Sequence, residues 1–244
     1  MRKLFLGILV FLSLNVWAED DGKCDLSISA EVVSTYVWRG SYQAGTSIQP
    51  FMEFTVGGFS LGTWGSVDIA GFGYKEVDLM ASFSFKNVTV GLYDTWIAGE
   101  MNYNYFDLSK TTLHLLEAWV AYSFDRIPLS IGWYTSIAGD ETCSKYLKNG
   151  KLKNAFPTYI EATYTFPVRK TILEAAIGVS PWKSSTLYNR YDEGGMTDGF
   201  AVVNLSLKAS RDIKMTDSYS LPVFGQLIFN PAKEDTFLVF GIRF

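Results

Sequence analysis

The chain has 244 residues, a formal net charge of −4 and two cysteines. The acidic balance argues against a nucleic-acid-binding protein, and no Cys/His cluster of the kind that holds zinc is found in the sequence. Hydrophobic residues make up 48% of the chain and aromatic residues 16%. Beyond the N-terminus, no stretch reaches the roughly 18 apolar residues that a membrane-spanning helix needs. The length suits one domain.

The N-terminus has the pattern of an export signal. Arg2 and Lys3 form a basic segment, residues 4–14 are apolar, and Val16-Trp17-Ala18 fits the small-x-small cleavage pattern loosely. The apolar run is too short for a membrane anchor. We therefore expect residues 1–18 to be removed and residues 19–244 to form a single domain.

The rest of the chain reads as about twelve strands in which apolar and polar residues alternate. The gaps between them alternate between short turns and long polar loops, which is typical of an outer-membrane barrel. The sequence thus predicts an all-β, transmembrane, antiparallel up-and-down barrel. A soluble β-sandwich also alternates, but its turns need not alternate in length. The predicted strands are 26–39, 47–57, 59–67, 75–86, 88–98, 112–124, 129–137, 156–166, 171–181, 199–209, 220–230 and 235–244. The gap 210–219 is longer than the alternation requires.

Alternation also predicts which side chains face the lumen. Charged groups facing lipid would be costly near the membrane midplane, so the charged members of each strand should point inward. Six acids are opposed by three bases, which favours a narrow, mildly cation-preferring pore over a fully paired, filled lumen. The predicted lumen-lining and selectivity residues are Glu31, Arg39, Glu53, Asp78, Glu117, Glu161, Glu174, Lys208 and Arg243.

The first hairpin carries a family resemblance. The segment Tyr36-Val37-Trp38-Arg39-Gly40 is followed by Gln43, by Gln49-Pro50 and then by Gly62-Thr63-Trp64-Gly65-Ser66. This series resembles the TorF-type porin family over about the first third of the chain. The resemblance implies an outer-membrane channel of undefined substrate, and it implies no catalytic residues.

Arg39 has two interpretations in this segment. It could be a buried strut paired with a neighbouring carboxylate, or it could be a free charge that sorts ions in the constriction. Placed on the strand 26–39, it would share a face with Glu31, Val33 and Thr35.

Catalysis is not expected. The single histidine, His114, shares its parity with Leu116 and Ala118, so we expect it on the lipid side near the outer interface. No serine lies two residues away to act as its nucleophile. We expect no cofactor and no metal. The six inward acids do not single out a pair for glycoside hydrolysis.

Two functions of different classes remain open. The first is a channel for small solutes or ions across outer-membrane lipid. The second is a non-transporting barrel whose outer loops bind a partner or surface, for which four lysines of loop 138–155 are the best feature: Lys145, Lys148, Lys151 and Lys153. Cys24 and Cys143 are expected at opposite ends of the barrel and therefore unpaired.

Overall fold

In the computed structural model of the chain, residues 24–71, 73–98, 104–106, 113–139, 143–146, 151–182, 186–188 and 199–244 are described. The expected signal segment lies outside them. The strands are β1 Cys24–Val33, β2 Tyr36–Trp38, β3 Ser41–Ala44, β4 Ser47–Val56, β5 Phe59–Asp68, β6 Lys75–Phe85, β7 Val88–Ala98, β8 His114–Ser123, β9 Leu129–Gly139, β10 Ser144–Tyr146, β11 Leu152–Asn154, β12 Thr158–Val168, β13 Thr171–Ser180, β14 Ala201–Lys214, β15 Ser220–Asn230 and β16 Asp235–Arg243, and a 3₁₀ helix spans Thr186–Tyr188. Within the described residues, no helix is long and apolar enough to cross a membrane.

Twelve of these strands close into an antiparallel barrel, which confirms the predicted fold class. The order around the ring is β1, β16, β15, β14, β13, β12, β9, β8, β7, β6, β5 and β4. Apart from the closing contact between β1 and β16, each strand pairs with its neighbours along the chain, as in an up-and-down barrel. The pairs β2–β3 and β10–β11 form separate two-stranded sheets within the long loops.

The outward face of the barrel is apolar and exposed. Monomeric soluble proteins rarely expose a continuous apolar surface of more than a few hundred Å². Here alternate residues of every barrel strand point outward, and the large side chains among them form a belt that suits lipid hydrocarbon. The belt includes Ile28, Met52, Leu61, Leu79, Leu92, Val120, Ile131, Tyr164, Ile177, Leu207, Leu227, Leu238 and Phe240.

Two strands differ from the sequence prediction by more than two residues at one end. The predicted strand 26–39 is wrong in its second half, because β1 ends at Val33 and residues 36–44 form the separate β2–β3 hairpin. The predicted strand 199–209 is too short, since β14 continues to Lys214. The turn that follows is closed by main-chain bonds from the amides of Met215 and Thr216 to the carbonyl of Tyr219. The gap 210–219, which is longer than the alternation of short turns and long loops requires, therefore ends in a short turn after Lys214.

The β2–β3 hairpin crosses the lumen at the long-loop end. It leaves the wall between β1 and β4, yet Asn230 at the end of β15 donates to the carbonyl of Gly40 at 3.0 Å. Gly40 also lies against the main chain of Val203 in β14. Tyr36 packs on Trp64 of β5, with ring centroids 5.4 Å apart. The buried apolar core of the molecule thus lies where the hairpin meets the inner wall.

Candidate functional site in the barrel lumen

Arg39 lies at the tip of the β2–β3 hairpin. Arg39 and Gly40 connect the two strands with φ values of 49° and 78°, which is the backbone of a type I′ turn. A positive φ is uncommon for a residue other than glycine and costs of order 1 kcal/mol or more. The turn projects the guanidinium across the lumen, so contacts made there must offset this cost.

The first contact of the Arg39 guanidinium is with Glu117 on β8. Arg39 Nη1 and Nη2 donate to Glu117 Oε1 and Oε2, each at 2.9 Å, in a bidentate ion pair. The Glu117 side chain is 1% exposed, and Ser136 Oγ donates to Oε1 at 3.3 Å. Because the pair is nearly dry, removing either partner would leave a buried charge uncompensated.

Aromatic rings surround the guanidinium. Its central carbon lies 4.4 Å from the ring centroid of Trp38, 4.5 Å from that of Tyr134 and 4.7 Å from that of Tyr159. At such distances a cation is attracted to the ring face. Nη1 also donates to the hydroxyl of Tyr188, in the 3₁₀ helix, at 2.5 Å. Burial raises the pKa of Tyr188 although Arg39 opposes the shift, so the hydroxyl remains protonated.

Arg39 is therefore a paired strut rather than a free charge in the constriction. The prediction that it shares a strand face with Glu31 is wrong, because the chain leaves the barrel wall after Val33. The strut interpretation fits the bidentate geometry.

Toward the short-turn end from the hairpin lies a cavity of about 430 Å³. Arg39, Glu117, Glu161 and Glu174 all line it, so four of the predicted lumen residues come together there. Glu161 accepts hydrogen bonds from neutral groups: the hydroxyl of Tyr159, Asn204 Nδ2 at 3.0 Å and Thr163 Oγ1 at 3.4 Å. Within the described residues, no ion pair neutralises Glu161 or Glu174.

A second cavity of about 270 Å³ lies on the other side of the hairpin. Trp38 lines both cavities, which places it at the partition between them. The second cavity is lined by Glu76, whose carboxylate accepts from the hydroxyl of Tyr74 at 2.6 Å. Asp78, next on the same face of β6, is fully buried and accepts from the hydroxyl of Tyr93. The sequence analysis did not include Glu76 among the lumen-lining residues, although Glu76 lies on the same face of its strand as Asp78.

The remaining predicted residues lie elsewhere on the inner wall. Glu31 and Arg243 are register partners across the closing seam, where Arg243 Nε donates to Glu31 Oε1 at 2.7 Å. Glu53 lies on β4, on the opposite face from the outward Met52 and Phe54. Lys208 is the register partner of Glu174, but its Nζ lies 4.1 Å from the ring centroid of Phe224. None of these four predicted residues is among those that line the 430 Å³ cavity.

His114 follows the outward parity but is not exposed to lipid. It is 5% exposed, because Tyr105 covers it with a ring centroid 4.9 Å away. Its Nδ1 lies 3.1 Å from Asp94 Oδ2 and its Nε2 lies 2.7 Å from the carbonyl oxygen of Tyr105. Both ring nitrogens therefore lie within hydrogen-bonding distance of an oxygen atom, one on the Asp94 carboxylate and one on the main chain of Tyr105.

Both cysteines and three of the four lysines of loop 138–155 lie within the described residues. Cys24 is exposed and Cys143 is buried, and no disulfide joins them. Lys148 lies outside the described residues, and only the backbone of Lys145 is described. No group of three or more His, Cys, Asp or Glu residues in the described ranges could hold a metal ion.

Two solved porin structures are similar to this chain. The chain is similar to the NanC porin in a rhombohedral crystal form, with 8% identity and a TM-score of 0.48 over 89% of this chain and 98% of that chain. It is also similar to a triple mutant of the Rh. blastica porin, with 14% identity and a TM-score of 0.40 over 90% of this chain and 73% of that chain. No family profile and no curated protein matches the sequence. Membership of the TorF-type family therefore stays a prediction.

Proposed function

We propose that the chain forms an outer-membrane channel through which small solutes diffuse, with a mild preference for cations. The observation that carries this proposal is the charge of the 430 Å³ cavity. Arg39 is neutralised by Glu117, whereas Glu161 and Glu174 face the same space without an ion pair in the described residues. An acid-lined lumen attracts cations and repels anions.

Four further features support a membrane channel. The outward belt is apolar and the inner wall polar, which is the polarity of a lipid-embedded barrel. The N-terminal pattern favours export, and a closed barrel satisfies every main-chain group within the hydrocarbon layer. Tight turns at one end and longer connections at the other favour an orientation with both termini at the periplasmic side.

A second candidate function is a barrel that does not conduct and whose outer loops bind a partner. The hairpin favours this alternative, because it crosses the lumen and is tied to both sides of it through Glu117 and Asn230. The two candidates differ in whether solutes pass between the hairpin and the wall.

The conductance of the purified barrel in planar bilayers distinguishes the channel from the non-conducting barrel. We expect small, steady channels whose reversal potential in a salt gradient favours cations. Replacing Glu161 and Glu174 together by Gln should move the reversal potential toward anions, and the shift should shrink at 1 M salt, where the screening length falls to roughly 3 Å. Asp217→Asn is the control, because this carboxylate is fully exposed in a short turn. A folded barrel without conductance would reject the channel and favour the binding function.

A further inference from the structure

A row of aromatic rings runs along the inner wall next to Arg39. Trp119, Tyr134 and Tyr159 are direct register partners on β8, β9 and β12. The ring centroids of Trp119 and Tyr134 lie 6.0 Å apart with an interplanar angle of 25°, and those of Tyr134 and Tyr159 lie 6.2 Å apart. All three rings line the 430 Å³ cavity.

Each ring contacts a glycine of the wall. A Cβ added at Gly91 would be 2.7 Å from the ring of Trp119, and one added at Gly132 would be 2.7 Å from that of Tyr134. At Gly178 the added Cβ would be 2.1 Å from the hydroxyl of Tyr159. The glycines leave room for the rings against the wall. Arg39 lies over the faces of Tyr134 and Tyr159, so these two faces point to the lumen. The ring of Trp119 is inclined by only 25° to that of Tyr134 and therefore has a similar orientation.

Two of these faces are already occupied by a cation. The guanidinium of Arg39 lies over Tyr134 and Tyr159. Trp119 continues the same row, and no cation lies over its ring among the described residues. Tryptophan is the aromatic side chain that attracts cations most strongly. The row therefore has a cation-binding face that the protein's own arginine leaves free.

Acceptors without cationic partners share this cavity. Glu161 and Glu174 bring two carboxylates that no described ion pair neutralises. Asn204 also lines the cavity, is 7% exposed, and its Oδ1 is buried without a hydrogen-bond partner in the described structure. Its Nδ2 donates to Tyr159 and Glu161, so the orphan atom is the acceptor.

We propose that this cavity is a binding site for small organic cations that carry an ammonium or guanidinium group. The cationic head packs on the face of Trp119 and is neutralised by Glu161 and Glu174. Arg39, packed on the neighbouring rings and paired with Glu117, shows within the same chain what such a ligand looks like when bound. This inference rests on the proposed channel and names the class of solute that the channel selects.

The test compares two compounds of nearly equal size and shape. Propylguanidinium should block the potassium current through the wild-type barrel at millimolar concentration, and the neutral isostere propylurea should not. Trp119→Leu should raise the half-blocking concentration about three- to tenfold, as expected for the loss of one cation–π contact. Replacing Glu161 and Glu174 by Gln should raise it as well. Trp119→Phe keeps a ring and should weaken the block less.

The control is Trp133→Leu, which removes an outward-facing tryptophan of β9 and should leave the block unchanged. Equal block by both compounds, or block that Trp119→Leu does not weaken, would overturn the proposal. If the folded barrel does not conduct, the channel fails and the site is tested by itself. Calorimetric titration of propylguanidinium into the protein in detergent micelles should then show binding that Trp119→Leu weakens. Absence of heat with the folded wild-type protein would overturn the site.

Discussion

Arg39 and Glu117 are 78 residues apart in the chain, yet two parallel N···O distances of 2.9 Å join them inside the barrel. One residue is the tip of a hairpin and the other belongs to a wall strand on the far side of the lumen. The bond therefore fixes the position of the hairpin that crosses the lumen. We expect the stability of this end of the barrel and the free width of the lumen to depend on the same ion pair.

Arg39→Gln should destabilise the folded barrel by about 3–5 kcal/mol, because it leaves the carboxylate of Glu117 buried without a counter-charge. Glu117→Gln should destabilise the barrel by a similar amount, because it leaves the guanidinium of Arg39 buried without a counter-charge. The double variant should recover part of the loss, since neither charge is then left alone. Urea unfolding of the three variants in detergent or lipid, followed by heat-modifiable migration on gels, measures these differences.

The matched control is Arg169→Gln. Arg169 also lies in a tight turn with a positive φ of 57°, but at the short-turn end, where its side chain is exposed. Its replacement should change the free energy of unfolding by less than about 0.5 kcal/mol. If Arg39→Gln and Arg169→Gln lowered the free energy of unfolding equally, the assignment of Arg39 as a buried strut would be wrong.

Gly40→Ala should displace the hairpin without unfolding the barrel. An added Cβ would lie 2.0 Å from the carbonyl oxygen of Val203, which belongs to the rigid main chain of β14. The hairpin must then move away from the wall, and we expect a larger single-channel conductance or more frequent switching between levels. Gly73→Ala is the control, because Gly73 has nearly the same φ of 77° and nothing within 4 Å of the added atom. Unchanged conductance in Gly40→Ala would show that the hairpin does not limit the passage.

The barrel could be predicted from the sequence because lipid and lumen impose opposite polarity on alternate residues. Leu79 and Asp78 are adjacent in the chain, and one is exposed on the outer belt while the other is fully buried inside. The same contrast between neighbouring residues recurs in nearly every barrel strand. The number of barrel strands and the acidic residues on their inner faces can therefore be predicted from the alternation of apolar and polar residues. Glu76 could have been found by the same rule, by extending the parity of Asp78 by two residues.

The group of side chains around Arg39 could not be found in this way; it consists of Trp38, Glu117, Tyr134, Tyr159 and Tyr188. The residues Tyr36-Val37-Trp38 continue the alternation of β1, and nothing local shows that the wall strand stops at Val33. The stop depends on tertiary contacts, in which Gly40 meets Val203 and Asn230. The row of aromatic rings formed by Trp119, Tyr134 and Tyr159 could not be predicted for a related reason. Its continuity depends on cross-strand register, which a bulge after Leu116 shifts between β8 and β9.

Peptide tags should report the orientation of the barrel. Tags inserted in the long connections 98–111, 138–155 and 181–198 should be reached by antibody on intact cells, because long loops are typical of the outer side. Tags at Gly57-Gly58 and Lys86-Asn87 should be reached only after the membrane is opened. Labelling of the Lys86-Asn87 turn on intact cells would invert the orientation and with it the side on which the hairpin lies.

Deleting Phe244 should impair closure of the barrel. The register pairs that join β1 to β16 are limited to Glu31–Arg243, Val32–Ile242 and Val33–Gly241, so this seam is shorter than the others. Phe244 extends it, because its amide donates to the carbonyl of Ala30 at 2.9 Å and its carbonyl accepts from the amide of Ala30 at 3.2 Å. The deletion removes both bonds together with an exposed aromatic ring at the rim. We expect less folded, heat-modifiable protein in the membrane at unchanged synthesis.

Phe244→Ala separates the two contributions, because it keeps the main-chain bonds to Ala30 and removes only the ring. If the seam is what matters, Phe244→Ala should insert nearly as well as the wild type and the deletion should not. If the ring is the assembly signal, both variants should fail alike. A deletion variant that reaches the membrane in wild-type amount would show that the pairs from Glu31 to Val33, with Arg243 held by the Glu31 carboxylate, close the barrel without help from the last residue.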